Sequence, residues 1–389
     1  MDELLPKRDP YLIKSINHAA QLLGAFQAAG EALPLREISK RSGLPKSMSF
    51  RLLYTLEKCG MVEKVGENLY LSCLRTFKQK RFRFGYAAQG TEYGFSQEVS
   101  ESLQRAARAD DIELIVVDNH YNAKIAQRNA DLLVREKVDL VIEFQTDENV
   151  AQAVASKYRA ANIPMIAIEI PHPGATYYGA NNYEAGIIGG RYMGRWVKRH
   201  WAGEVDEIIL MQLNRAGSVP RMRLTGMIAG MKETLPAAGN ASIMHLDGDG
   251  CFQESWEAVR RHLRTSPAKR CVVGAINDTS ALGALRAFQE IGRSENCIVM
   301  GQNASPEGRV ELREPKTRFL ASVAYFPERY GEEIIRAGIE IVSKRPIPPA
   351  VFVKHQLITS ENVDHFYPND HLLHTANAGR AGAPAWSFS

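Results

Sequence analysis

Between Leu35 and Leu71 the apolar positions change period twice. Leu35 and Ile38 recur at helical spacing and predict a short helix over 35–41, closed by Ser42 and Gly43. Beyond Gly43-Leu44-Pro45 a longer helical pattern begins, and Pro45 suits its start because a first turn has no use for the missing N–H. Ser49, Leu52, Leu53 and Leu56 fall to one side of a 3.6-residue period, and Lys46, Ser47, Phe50, Arg51 and Tyr54 to the other. After Cys59-Gly60 the period becomes two: 61–65 and 68–72 alternate around Gly66-Glu67, as a hairpin does. Upstream, Ile16, Ala19, Leu23 and Phe26 predict a first helix over 15–29, ended by Gly30. Three helices followed by a two-stranded wing predict a small winged helix-turn-helix domain over residues 11–75.

From residue 81 the pattern is different. Short apolar runs at 81–88, 112–117, 138–144, 165–170, 207–213, 242–246, 271–276, 297–300 and 319–323 predict strands. Between them lie helical patterns at 95–109, 122–136, 150–160, 184–200, 222–233, 253–263 and 279–290. Apolar strands joined by helix-length crossovers predict α/β architecture with parallel sheets covered on both faces. The strands are too many for one sheet, so we expect a two-lobed body over 81–368. One lobe takes about 81–181 and 326–354, the other about 182–325 and 355–368. The linker, 76–80, lacks Gly and Pro and reads as short and stiff. The Gly/Ala-rich end, 369–389, reads as a disordered tail.

Charge sharpens the division. Residues 34–83 hold twelve Lys/Arg against four Asp/Glu, a net +8, which leaves −4 for the remainder of a chain whose total is +4. A basic head on a mildly acidic body implies a polyanion partner at one end, and the exposed face of the third helix with Lys64 of the wing is a DNA-reading surface. Five cysteines without metal or disulfide spacing imply reduced thiols. A charged N-terminus without an apolar core, and the lack of a membrane-spanning run, lead us to expect a cytoplasmic protein with no membrane contact.

The head resembles the winged helix of IclR-type regulators, through Leu35-Arg-Glu-Ile-Ser-Lys-Arg-Ser-Gly-Leu-Pro-Lys-Ser and Arg51-Leu-Leu-Tyr-Thr-Leu-Glu-Lys-Cys-Gly-Met-Val-Glu. Where that family usually carries Thr-Val-His, this chain has Met48-Ser49-Phe50; Phe50 would meet a thymine methyl or pack on a neighbouring helix.

In doubly wound folds ligands sit outside the carboxyl ends of the strands. Those ends hold Gln89, Glu92, Tyr93, Phe95, Glu143, Gln145 and Glu169, then Arg215, Arg221, Arg223, Asp247, Asp249, Phe252, Asn277, Asn303 and Tyr325. Carboxylates, amides and arginine beside aromatic plates suit a sugar or polyol. The body resembles the ribose-binding, type I periplasmic-binding-protein fold shared with LacI/GalR regulators. Ala275-Ile-Asn-Asp-Thr-Ser-Ala-Leu-Gly-Ala-Leu-Arg-Ala-Phe carries the likeness most strongly. That resemblance implies a ligand set of Tyr93, Phe95, Glu143, Glu169, Arg221, Phe252, Asn277, Asn303 and Tyr325, to which the strand-end reading adds Gln89. Glu143 stands where Asn is common, Ile170 where Arg often follows the acid, and Asn303 where Asp is usual, which points away from ribose itself.

Rival chemistries are weaker. Glu143 and Glu169 could form a glycosidase pair, but both lie where this fold binds hydroxyls. Gly186-Ile-Ile-Gly-Gly-Arg-Tyr-Met-Gly sits inside a helical pattern and suits close helix packing rather than a dinucleotide. Asp247-Gly-Asp-Gly lacks the later ligands of a calcium loop. We therefore expect no catalytic residues, no metal and no cofactor. The expected function is a ligand-responsive transcription regulator, working as a homodimer on an operator in double-stranded DNA. The alternative is a solute-binding protein of transport or chemosensing.

Overall fold

The computed structural model describes residues 13–26, 31–73 and 82–370. The chain divides into two compact units, Met1–Arg81 and Phe82–Ser389. The stiff linker expected at 76–80 lies outside the described residues, as does the tail beyond Asp370.

The first unit runs α1 (Lys14–Leu23), β1 (Ala32–Pro34), α2 (Leu35–Ser42), α3 (Lys46–Lys58), β2 (Val62–Lys64) and β3 (Leu69–Ser72). Leu22, Phe26, Ile38, Leu53, Leu56, Val62 and Tyr70 close one core. Gly43, at φ 69, takes the left-handed turn between α2 and α3, which a side chain would strain. Ser49 is buried in the same turn, within 3.4 Å of the Leu44 carbonyl that also accepts from Ser39 Oγ at 2.6 Å. α1 ends at Leu23 with Gly24 as its C-cap, earlier than its periodicity predicts, and residues 27–30, the end of the expected span, lie outside the described residues. β1 has no counterpart in the sequence reading: three residues ending in Pro34 are too short to show alternation, yet they pair antiparallel with β3.

The second unit is the two-lobed α/β body. In chain order it runs β4 (Arg83–Ala88), α4 (Gly94–Ala109), β5 (Glu113–Asp118), α5 (Ala123–Arg135), β6 (Leu140–Glu143), α6 (Glu148–Ala160), β7 (Met165–Ile168) and β8 (Thr176–Gly179). It continues with α7 (Asn182–His200), β9 (Glu207–Gln212), α8 (Ser218–Thr234), β10 (Ser242–Asp247), α9 (Phe252–Leu263), β11 (Cys271–Ala275) and α10 (Asp278–Glu290). Last come β12 (Cys297–Asn303), α11 (Pro306–Arg313), β13 (Phe319–Ala324), α12 (Tyr330–Val342), β14 (Ala350–Phe352) and β15 (Gln356–Ile358). One sheet has the order β14-β8-β7-β6-β4-β5 and the other β10-β9-β11-β12-β13-β15. All pairings in both are parallel except β13 with β15. The chain therefore crosses between lobes after β8, after β13 and between β14 and β15. The three short strands β8, β14 and β15 escaped the sequence reading for the reason β1 did.

Gly186, Gly190, Gly226 and Gly230 let α7 and α8 touch backbone to backbone. A Cβ at Gly190 would lie 2.0 Å from Met227 O, and one at Gly226 2.2 Å from Tyr183 O. The glycine run is thus a packing device. It also fixes the phase of α8, which decides what that helix presents to the cleft.

Candidate ligand cavity and nucleic-acid face

Between the lobes lies a cavity of about 90 Å³, lined from one lobe by Gln89, Tyr93, Phe95, Tyr121, Thr146 and Glu169, and from the other by Arg215, Arg223, Asp249, Cys251, Asn277 and Asn303. Its floor is a buried ion pair: Arg223 Nη2 donates to Glu169 Oε2 at 2.6 Å. Each partner is held further. Arg223 donates from Nε to Asn182 Oδ1 and from Nη1 to Ile276 O; Glu169 Oε1 accepts from the Tyr330 hydroxyl at 2.7 Å and the Ala180 N–H at 3.2 Å. A buried pair with its remaining hydrogen bonds filled is the form that survives desolvation. On the opposite wall Arg215 meets Asp249 at 2.8 Å and donates across the cleft to Tyr121 O at 3.1 Å. The formal charges of the lining cancel.

Phe95 stands edge-on to Phe144, Tyr325 and Tyr330, with centroids 6.0–6.4 Å apart, and makes the apolar side. Glu169 and Asn303 both hold left-handed backbone, φ 61 and 98, a strained state that clusters at binding sites. Asn303 Oδ1 is buried and lacks a hydrogen-bond partner among the described residues. An unmet acceptor in a polar cavity asks for a donor from a ligand or water.

Of the ten residues expected for the ligand, Gln89, Tyr93, Phe95, Glu169, Asn277 and Asn303 line this cavity. Four do not. Arg221 is exposed: the buried face of α8 runs Pro220, Arg223, Leu224, Met227 and Met231, so Arg223 takes the inward position. Phasing that helix on its apolar residues would have found it. Glu143 ends β6 as expected but points to the sheet's other face, where Asn119 Nδ2 and the Tyr158 hydroxyl donate to its two oxygens at 2.9 and 3.1 Å. Its neighbour Phe144 faces the cavity instead, as strand alternation requires. Burial pushes the Glu143 carboxyl up to about 8, with the bonds from Asn119 and Tyr158 opposing. Phe252 opens α9 one residue past Cys251, which lines the site. Tyr325 supports Arg223 from behind, its ring 4.9 Å from the guanidinium carbon and its hydroxyl donating to Gln302 Oε1.

That support connects the floor to the crossings. His355, in the third crossing, packs 5.1 Å from the Tyr325 ring and accepts the N–H of Asn181 in the first. Tyr325 itself begins the second. Arg223 thus reaches, through one aromatic ring, segments of all three crossings. Asp249 belongs to this site and not to a cation loop: Asp247 Oδ1 accepts the Asp249 N–H, and Asp249 is paired with Arg215. No cluster of three or more metal-ligating side chains occurs among the described residues, and no described helix is long and apolar enough to cross a membrane. Asp370, in the stretch read as a tail, is buried and accepts from Arg309 at 2.9 Å and from Arg313.

In the head, the face of α3 opposite its core carries Lys46, Ser47, Phe50, Arg51 and Tyr54, all exposed, with Lys64 exposed on β2. Lys58 lies over the Tyr54 ring at 5.6 Å. Phe50 belongs to no buried cluster among the described residues and is 50% exposed.

Residues 84–346 match the periplasmic binding protein domain, and residues 15–66 the IclR helix-turn-helix domain. The chain is 26% identical over 273 residues to the ribose import binding protein RbsB of Escherichia coli (strain K12), covering 67% of this chain and 86% of that one. Among solved structures, an ABC transporter solute binding protein from Mycobacterium smegmatis with bound glycerol aligns at a TM-score of 0.65 and 19% identity, over 73% of this chain and 96% of its own. One from Bacillus halodurans C-125 with bound myo-inositol gives 0.63 and 19%, over 74% and 98%.

Proposed function

Because the chain belongs to the periplasmic binding protein domain family and carries an IclR helix-turn-helix domain at its head, we propose that it is a DNA-binding transcription regulator. Its effector is a neutral sugar or polyol, bound in the cavity between the lobes. The observation that carries this reading is the joining, in one chain, of a basic, exposed α3 face to a polar cavity whose charges are already paired. A charged effector would have to bring its own counter-charge or displace Arg223 from Glu169, at the full cost of leaving a buried ion unpaired. A hydroxyl can instead donate to Asn303 Oδ1 and accept from the unused N–H groups of Arg223. The Phe95 side supplies the apolar plate a sugar ring needs. The relatives bind ribose, glycerol and myo-inositol by their names, a chemistry consistent with this lining.

The working form is a cytoplasmic homodimer on a two-fold operator, whose DNA affinity changes when effector holds the lobes closed. Six of the residues proposed to touch effector are Gln89, Tyr93, Phe95, Glu169, Asn277 and Asn303, to which the cavity adds Arg215 and Arg223. Lys46, Ser47, Phe50, Arg51, Tyr54 and Lys64 are proposed to touch DNA. A role in import, as in the matched relatives, would leave the α3 face without a purpose. The test has two arms. A thermal-shift screen of monosaccharides and polyols identifies the effector, and binding-site selection from random duplex DNA with the full chain identifies the operator. Operator affinity is then titrated with effector. A chain that binds sugar but selects no DNA is a solute-binding protein, and the regulator reading falls.

A further inference from the structure

The sequence leaves two roles for Phe50, and the structure favours one of them: the ring belongs to none of the hydrophobic clusters formed by the described residues. It stands half exposed on α3, four residues before Tyr54, which is 57% exposed, and two after Met48 at 36%. Three large apolar side chains on the outer surface of one 13-residue helix are costly to leave in water, and each would be better buried. Their neighbours say against what. Lys46 and Arg51 are exposed on the same helix, four residues before Phe50 and one after it, Lys58 lies over the Tyr54 ring at 5.6 Å, and the described residues place no acidic side chain on α3 between Lys46 and Tyr54. An apolar ring on a helix face that also carries cations fits a surface that is anionic at its edges and apolar at one spot. The major groove offers that combination, phosphates on both walls and the C5-methyl of thymine as its one apolar group.

We infer that Phe50 is a specificity-determining residue that reads a thymine methyl in the major groove, and that Arg51 and Lys46 hold the adjacent backbone. This rests on the DNA-binding reading of the head and extends it to the base that is read. Adjacent positions on the helix divide the work. Phe50 lacks a donor or acceptor and can select only by fit to a methyl, whereas Arg51 and Lys46 attract phosphate whatever the sequence.

The experiment uses the full chain and the operator recovered by binding-site selection. Each thymine is replaced in turn by deoxyuridine, which removes one methyl and leaves base pairing intact, and affinity is read by fluorescence anisotropy. The expected result is one thymine in each half-site whose methyl is worth about fourfold in Kd, the value of one buried carbon. Phe50→Ala should lose that dependence while keeping the others; Phe50→Leu, which keeps an apolar side chain, should retain part of it. Both variants alter an exposed position, and equal melting temperatures confirm that they fold. Selected DNA whose uridine scan is flat, or is the same in Phe50→Ala as in the unaltered chain, overturns the inference while leaving DNA binding intact. Failure to select any duplex overturns both. If Phe50→Ala instead dissociates an oligomer in sedimentation and leaves the uridine scan unchanged, the ring is a protein contact and the inference is wrong.

Discussion

Replacing Glu143 by Gln should stabilise the body, and by more as the pH rises. The carboxyl is fully buried, and burial raises it from an ordinary 4.5 to about 8. The folded state therefore holds a proton that the unfolded chain has released, across the whole interval between those values. Stability present below about pH 4.5 is lost progressively until the folded group ionises near pH 8. At 1.36 kcal/mol per pH unit the loss is about 2 kcal/mol at about pH 6 and about 5 kcal/mol at about pH 8.5. Glutamine removes the titration and keeps the geometry: its oxygen accepts from Asn119 Nδ2, and its amide donates to the Tyr158 oxygen. Any fixed cost of the amide is independent of pH, so the informative quantity is the difference, about 3 kcal/mol between the two pH values. For a body of this size that corresponds to roughly 5 °C in Tm. Differential scanning calorimetry of both proteins at the two pH values measures it. A Tm advantage that does not grow with pH would refute the buried, proton-holding carboxyl. Because Glu143 faces away from the cavity, the thermal shift produced by effector should be unchanged, which separates it from the residues that line the site.

Arg223→Ala should abolish effector-induced thermal stabilisation and cost about 3–5 kcal/mol by leaving Glu169 buried without its partner, whereas Arg221→Ala should stay within about 0.5 kcal/mol and bind effector normally; isothermal calorimetry and thermal melts distinguish the two. Gly190→Ala, whose Cβ would meet Met227 O at 2.0 Å, should prevent α7 and α8 from docking and give little soluble folded protein. Gly292→Ala, with open space around it and φ 70, should lower Tm by only the equivalent of about 1 kcal/mol. Lys46→Ala and Arg51→Ala should each reduce the slope of log K against log salt for operator binding by about one, seen in anisotropy titrations at several salt concentrations.

The elements with a long period were legible. Residues 94–109, 182–200 and 278–290 are helices where periodicity put them, and each long apolar run became a strand of a parallel sheet. Of the short strands, β2 and β3 showed through their hairpin and β6 and β7 through their longer apolar runs, whereas β1, β8, β14 and β15, with neither, did not. The site was legible by position and not by direction. A strand's end can be read from composition, but which of two adjacent residues faces the cleft depends on register against the sheet. Hence Glu143 was read for Phe144, and Phe252 for Cys251. Arg221 is a different failure, since the apolar residues of α8 already carried its phase. Tyr121, which follows β5 in left-handed backbone at φ 50, gave no signal in a single sequence.

Where α4 begins, the backbone of Gly94 meets the ring of Pro306 at the start of α11, and its N–H donates to Glu307 Oε1 across the cleft at 3.1 Å. A Cβ there would stand 2.6 Å from a stiff pyrrolidine carbon. The missing methyl is therefore a gauge for how far the lobes can shut. Adding it acts as a doorstop, forcing the rim apart by roughly 1 Å with no change to any group that touches effector. Gly94→Ala supplies a chain fixed ajar, against which the DNA affinity of the fully shut form can be compared.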